Sequence, residues 1–88
     1  MTEQDSLIQY PCDFPVKIMG KAQPGFTQAM LVIVKMYAPD FNETTLEART
    51  SKNGTYLSLT CTIRAHSRIQ LDTLYQALHD HPMVSMLL

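Results

Sequence analysis

The chain has 88 residues, 45% of them apolar and 17% charged, with seven Lys/Arg against eight Asp/Glu for a formal charge of −1. That is one small domain, apolar enough to fold and too evenly charged for the broad basic footprint of a dedicated nucleic-acid binder. No apolar run reaches the roughly 18 residues of a membrane span, and the polar start Met1-Thr2-Glu3-Gln4-Asp5-Ser6 is unlike a signal peptide, so the expected setting is soluble and cytoplasmic.

Residues 1–10 show no periodicity and read as a flexible N-terminal arm, leaving 11–88 as a single domain. Pro11 and Pro15 bracket Cys12-Asp13-Phe14 and favour extended backbone. A first strand is expected over 14–22, with Val16, Ile18 and Gly20 on one face and Lys17, Met19 and Lys21 on the other. Gly20, Pro24 and Gly25 permit a tight exit into a helix over 26–38, which Pro39 ends. Its inward stripe is Phe26, Met30, Ile33 and Tyr37, flanked by Ala29 and Val34. Leu31 and Val32 fall on the far side near Gln28 and Lys35, as candidate contacts for a partner or a second copy.

Residues 43–50 alternate as a strand, with Leu46 and Ala48 inward and Thr45, Glu47 and Arg49 outward. Asn53-Gly54 then signals a hairpin, since both positions tolerate positive φ. The strand over 55–66 has the clearest alternation, with Leu57, Leu59, Cys61, Ile63 and Ala65 inward. Ser67 is an expected N-cap with Gln70 reaching back, and Leu71, Leu74, Tyr75 and Leu78 form the stripe of a second helix. His79 and His81 suit its C-terminal end, Pro82 stops it, and 83–88 form a last apolar strand.

The order β-α-β-β-α-β is the split βαβ, ferredoxin-like arrangement. It is an α+β fold: a four-stranded antiparallel sheet with strands one and three central and two helices on one face. The other face is open. It is expected to carry Lys17, Met19, Lys21, Thr45, Glu47, Arg49, Tyr56, Ser58, Thr60, Thr62, Arg64 and His66, with Ser85 and Leu87 from the last strand. Four of the seven basic residues lie there with one acid, Glu47, so the near-neutral total conceals a locally basic face. Lys17, Arg49 and Arg64 are therefore candidate partner contacts.

No catalytic residue stands out, and the protein is expected not to be an enzyme. The segment from Met19 to Gly25 is no G-x-x-x-x-G-K-[ST] loop, and there is no Ser-His-Asp order or carboxylate pair. No metal or cofactor is expected: His66, His79 and His81 lack a convincing thiolate or carboxylate beside them. Cys12 and Cys61 form no C-x-x-C pair, and Cys61 reads as a core thiol. An RNA-recognition sheet needs two or three stacking aromatics; Tyr56 is the sole one on the open face, so nucleic acid is disfavoured.

The segment Tyr10-Pro11-Cys12-Asp13-Phe14-Pro15-Val16-Lys17-Ile18-Met19-Gly20 resembles the opening signature of the YbeD family, small bacterial proteins of unknown biochemical activity. Tyr37-Ala38-Pro39, Ser51-Lys52-Asn53-Gly54-Thr55-Tyr56 and Leu74-Tyr75-Gln76-Ala77-Leu78 also match. The resemblance implies a fold similar to ACT regulatory domains, such as that of phosphoglycerate dehydrogenase, and a regulatory link to lipoate attachment. It carries over no catalytic residues. ACT-like domains pair and bind small effectors beside the first loop and helix, which here means Gly20, Lys21, Gln23 and Gly25. A small domain with no enzyme fused to it is expected to act on another chain, as a regulatory or protein-interaction module whose partner is an unidentified protein or a second copy. The alternatives are a small anionic effector and weak anion or RNA binding through the open sheet face. Leu31, Val32 and Met36 make the first helix more apolar than the family pattern.

Overall fold

The computed structural model describes residues 9–88. Most of the expected arm, residues 1–8, lies outside them; Tyr10 is half-buried against the core. The elements are β1 (Cys12–Lys21), α1 (Phe26–Tyr37), a 3-10 turn (Glu43–Thr45), β2 (Glu47–Thr50), β3 (Tyr56–Ala65), α2 (Arg68–His79) and β4 (Val84–Leu87). The strands form one antiparallel sheet in the order β2-β3-β1-β4, with β1 and β3 central. This is the ferredoxin-like topology.

One face of the sheet makes the core. Val16 and Ile18 of β1 and Leu59, Cys61, Ile63 and Ala65 of β3 are buried with Phe26, Met30 and Val34 of α1 and Leu71, Leu74 and Leu78 of α2. Strand alternation puts the first set on one side, so both helices cover that side. The fully buried line of α1 continues through Ala38, one residue every helical turn. It displaces the expected stripe: Ile33 and Tyr37 are only half-buried, and Tyr37 lies in the groove beside α2. Phe41 completes the core from the loop after α1, unforeseen because no periodic element carries it.

Local chemistry sets three boundaries apart from the expected ones. The strand expected over 43–50 is shortened to Glu47–Thr50 because Asn42 folds the chain into the 3-10 turn. Its Oδ1 accepts from Thr44 N–H (3.0 Å) and Thr44 Oγ1 (2.7 Å), and its carbonyl accepts from Thr45 Oγ1 (2.7 Å). Thr45 is therefore in the turn, not on the sheet. The hairpin is wider than a two-residue turn. Gly54 N–H donates to Ser51 O (2.8 Å), Ser51 N–H to Tyr56 O (2.8 Å) and Tyr56 N–H to Ser51 Oγ (2.9 Å). Only Gly54 takes positive φ, 75°, and Asn53 does not.

The third departure is a bulge between β1 and β4. Ile18 faces Leu87 and Met19 faces Met86, but Gly20 faces Val84. One extra residue in β4 shifts the alternation. Leu87, expected on the open face, instead packs half-buried against the core; Met86 and Leu88 take the open face, 52% and 68% exposed. Lys17 and Leu88 exchange backbone hydrogen bonds of 3.3 and 3.0 Å, which seat the chain end beside β1.

Candidate functional site

The open face of the sheet is the candidate site. Antiparallel register sets its geometry. Arg49, Ser58, Met19 and Met86 form one row across all four strands. Lys17 and Lys21 flank Met19 along β1, and Tyr56 stands opposite Lys21. Lys17, Lys21 and Arg49 are exposed, and among the described residues none of them makes an ion pair. Met19 is half-buried; Tyr56 is 40% exposed. A hollow of about 120 Å³ opens between Met19, Arg49, Tyr56 and Ser58. The arrangement is an apolar floor with cations around it.

Arg64 is set apart from this cluster. It faces Asp13 in register, and its guanidinium lies 3.2 Å from the Asp13 carboxylate. β1 begins at Cys12 rather than residue 14, which brings Asp13 onto the open face as a second acid beside Glu47. The expected basic face is thus corrected: one of its four cations is already paired. His66 also leaves the sheet face. It lies past the end of β3, with Nε2 3.4 Å from Asp40 Oδ2.

The effector candidates separate. Gly20 is buried, and a Cβ there would strike the Met83 carbonyl and the Phe26 ring. Its lack of a side chain serves packing, so it offers no surface to a ligand. Lys21, Gln23 and Gly25 are exposed. Gly25 caps α1 at φ 85° without a side-chain hydrogen bond. Ala22 N–H donates to Thr55 O (2.9 Å), tying this loop to the hairpin.

Val32 is 62% exposed, and Met36, one turn on, 63%. Leu31 is half-buried and packs against the core, so it is not the free contact expected. Leu31 and Val32 line a hollow with Gln28, Lys35 and Glu43, whose charges pair at 2.7 Å. That hollow lies on the helical side, so the structure does not join these residues to Lys17 and Arg49. Ile69 of α2, 77% exposed, was not foreseen, because its flank of the helix is otherwise polar.

The thiols are free. Cys61 is fully buried, and burial pushes its pKa from 9.0 up to about 11. Cys12 is half-buried. Burial also raises the Tyr75 hydroxyl, which donates to Leu88 O at 3.2 Å. His81 Nδ1 accepts from Met83 N–H (3.1 Å), and His79 Nδ1 lies 3.6 Å from Asp80.

A family model described as a protein of unknown function, DUF493, matches residues 5–88. A UPF0250 protein of Nitrosomonas europaea is 76% identical over 88 residues, covering all of both chains. A UPF0250 protein of Bordetella pertussis is 54% identical over 85 residues, 97% of this chain and 93% of that one. Among solved structures, the protein HP0495 from H. pylori superposes with a TM-score of 0.74 at 21% identity, covering 100% of this chain and 96% of that one. The ACT domain from the GTP pyrophosphokinase of Chlorobium tepidum superposes with a TM-score of 0.67 at 19% identity, covering 88% and 97%. These two likenesses establish the fold.

Proposed function

The chain belongs to the DUF493 family, and on that premise we propose that it is a small, non-catalytic regulatory domain that acts by binding another protein. The observation that carries this reading is the sheet face that no element among the described residues covers. Met19, Tyr56 and Met86 lie there among three cations without ion-pair partners among the described residues. Exposed apolar surface rimmed by polar groups marks interaction sites. The ACT-like fold supports a regulatory role by analogy alone, since one fold hosts many functions. The proposed setting is the cytoplasm; no helix among the described residues is long and apolar enough to cross a membrane.

The test is affinity capture from native extract through a photo-cross-linking residue at Met86, with one at Thr73 on α2 as the control. A protein cross-linked from Met86 and not from Thr73 supports the reading. Equal capture from both positions, or none from either, overturns it.

A second reading is effector binding at the β1–α1 loop. It is favoured by Lys21, Gln23 and Gly25 standing exposed beside a helix start that no side chain caps. The proposed ligands are small carboxylates, and the proposed link to lipoate attachment makes lipoate-related acids the first to try. A ligand that binds only the native state raises the melting temperature saturably. No shift at millimolar amino acid or lipoate removes this reading.

A further inference from the structure

We propose that the open sheet face recognises an acidic protein segment in which one apolar side chain stands between two carboxylates. This rests on the interaction reading above and names the chemistry of the partner. The side chains of Lys17, Met19 and Lys21 project from alternate positions of β1, so the two ammonium groups leave backbone positions about 13 Å apart, with Met19 midway. Arg49 approaches from two strands away, about 10 Å from Met19 in the same row. Met86 closes the row on the other side. Beside Met19, the hollow of about 120 Å³ is close in size to cavities that accept a single small apolar group. An extended segment repeats its side chains at the spacing of β1 itself. Acid-x-apolar-x-acid therefore places the apolar side chain over the hollow and its carboxylates over Lys17 and Lys21.

Charge selects this occupant over the alternatives. A second copy laid face to face would set three cations against three that are unpaired among the described residues, with Glu47 as the one such acid on each face. Like charges across an interface cost several kcal/mol and exclude wrong partners. Single-stranded RNA would meet the cations but find only Tyr56 on which to stack.

The probe is a synthetic peptide with the core Glu-Ser-Leu-Ser-Glu in a glycine-serine frame, titrated into the full chain labelled for two-dimensional NMR. Saturable shifts are expected at the amides of Lys17, Met19, Lys21, Arg49, Tyr56 and Met86. Lys21→Glu with Arg49→Glu is expected to weaken binding about tenfold, and about 0.5 M salt to suppress it. Peptides with the leucine replaced by serine, or the glutamates by lysine, are expected not to bind. These controls act on the peptide, so they hold even where a protein variant fails to fold. No shifts at millimolar peptide, equal binding of the lysine peptide, or shifts confined to α1 and α2 overturn the proposal. So do concentration-dependent shifts of the same face without peptide, which place a second copy there, and binding of an RNA oligonucleotide in its stead. A protein cross-linked through Met86 that carries no such acidic segment overturns the partner chemistry and leaves the interaction reading standing.

Discussion

The side-chain nitrogen of Gln70 donates a 2.9 Å hydrogen bond to the main-chain carbonyl of Tyr37, the last residue of α1. The same amide accepts from His66 N–H at 2.6 Å through its oxygen. One residue in the first turn of α2 therefore satisfies a donor at the start of its own helix and an acceptor at the end of the other. Helix ends leave such groups unpaired unless something meets them. Gln70→Ala is expected to destabilise the fold by about 1–2 kcal/mol, as two hydrogen bonds of roughly 1 kcal/mol each are lost. Gln70→Glu keeps the acceptor but turns a carboxylate oxygen towards the Tyr37 carbonyl at the negative end of α1, so it should also fall below wild type. Urea denaturation of the three proteins checks this; no loss in Gln70→Ala contradicts it.

Gly20 lies against Phe26 and the Met83 carbonyl. A methyl group there meets backbone on one side, which cannot rotate away. Gly20→Ala is expected to cost about 1–3 kcal/mol, in the range of overpacked cores. Gly25→Ala meets open space but takes φ 85°, so its cost is backbone strain alone. Thermal denaturation of both, with unchanged stability of Gly20→Ala as the contrary result, decides whether packing or ligand access keeps Gly20 bare.

Cys61 is expected to make stability fall at alkaline pH. Its folded pKa, about 11, lies above its ordinary 9.0. Below about pH 9 the thiol is protonated in both states and this contribution is intact. As pH rises from there towards 11, the unfolded chain releases the proton first, so stability is lost across that window. Cys61→Val should flatten this part of the pH profile measured by urea denaturation. Thiol alkylation at pH 8 should modify half-buried Cys12 well before Cys61.

Met86→Ser and Lys17→Glu are expected to change stability by no more than about 0.5 kcal/mol, the usual range for surface sites. Leu59→Ala, on the opposite face of the same sheet, is expected to cost about 2–5 kcal/mol. Matched melting curves check the pair. A large loss in Met86→Ser would mean that this face serves the fold.

Much of this architecture was legible because alternation in Val16, Ile18, Leu59, Cys61 and Ile63 admits one buried face, and Ser67 caps α2 as its position announced: its Oγ accepts from Gln70 N–H at 3.1 Å. The candidate site was legible in part. Lys17, Met19, Lys21, Arg49 and Tyr56 were placed on the open face by parity alone. Leu87 was misplaced because a bulge in β4 breaks parity, and nothing local to the sequence marks it. The pairing of Arg64 with Asp13 is not legible in the sequence, because it depends on how far β1 extends. The far side of α1 was half-read: Val32 is exposed, but Leu31 turns inward enough to pack.

Length, composition and periodicity by themselves determined a small split βαβ domain with one covered and one open sheet face. They set the overall charge of −1 and its uneven division between the two sides. Only the tertiary structure decided which charges remain available. Pairing and register are long-range: Asp13 reaches Arg64 across 51 positions, while Arg49, Met19 and Met86 share a row though each comes from a different strand. A balanced chain thus presents three cations, unpaired among the described residues, around an apolar floor, because backbone hydrogen bonding between distant strands, and not neighbourhood in sequence, chooses which side chains meet.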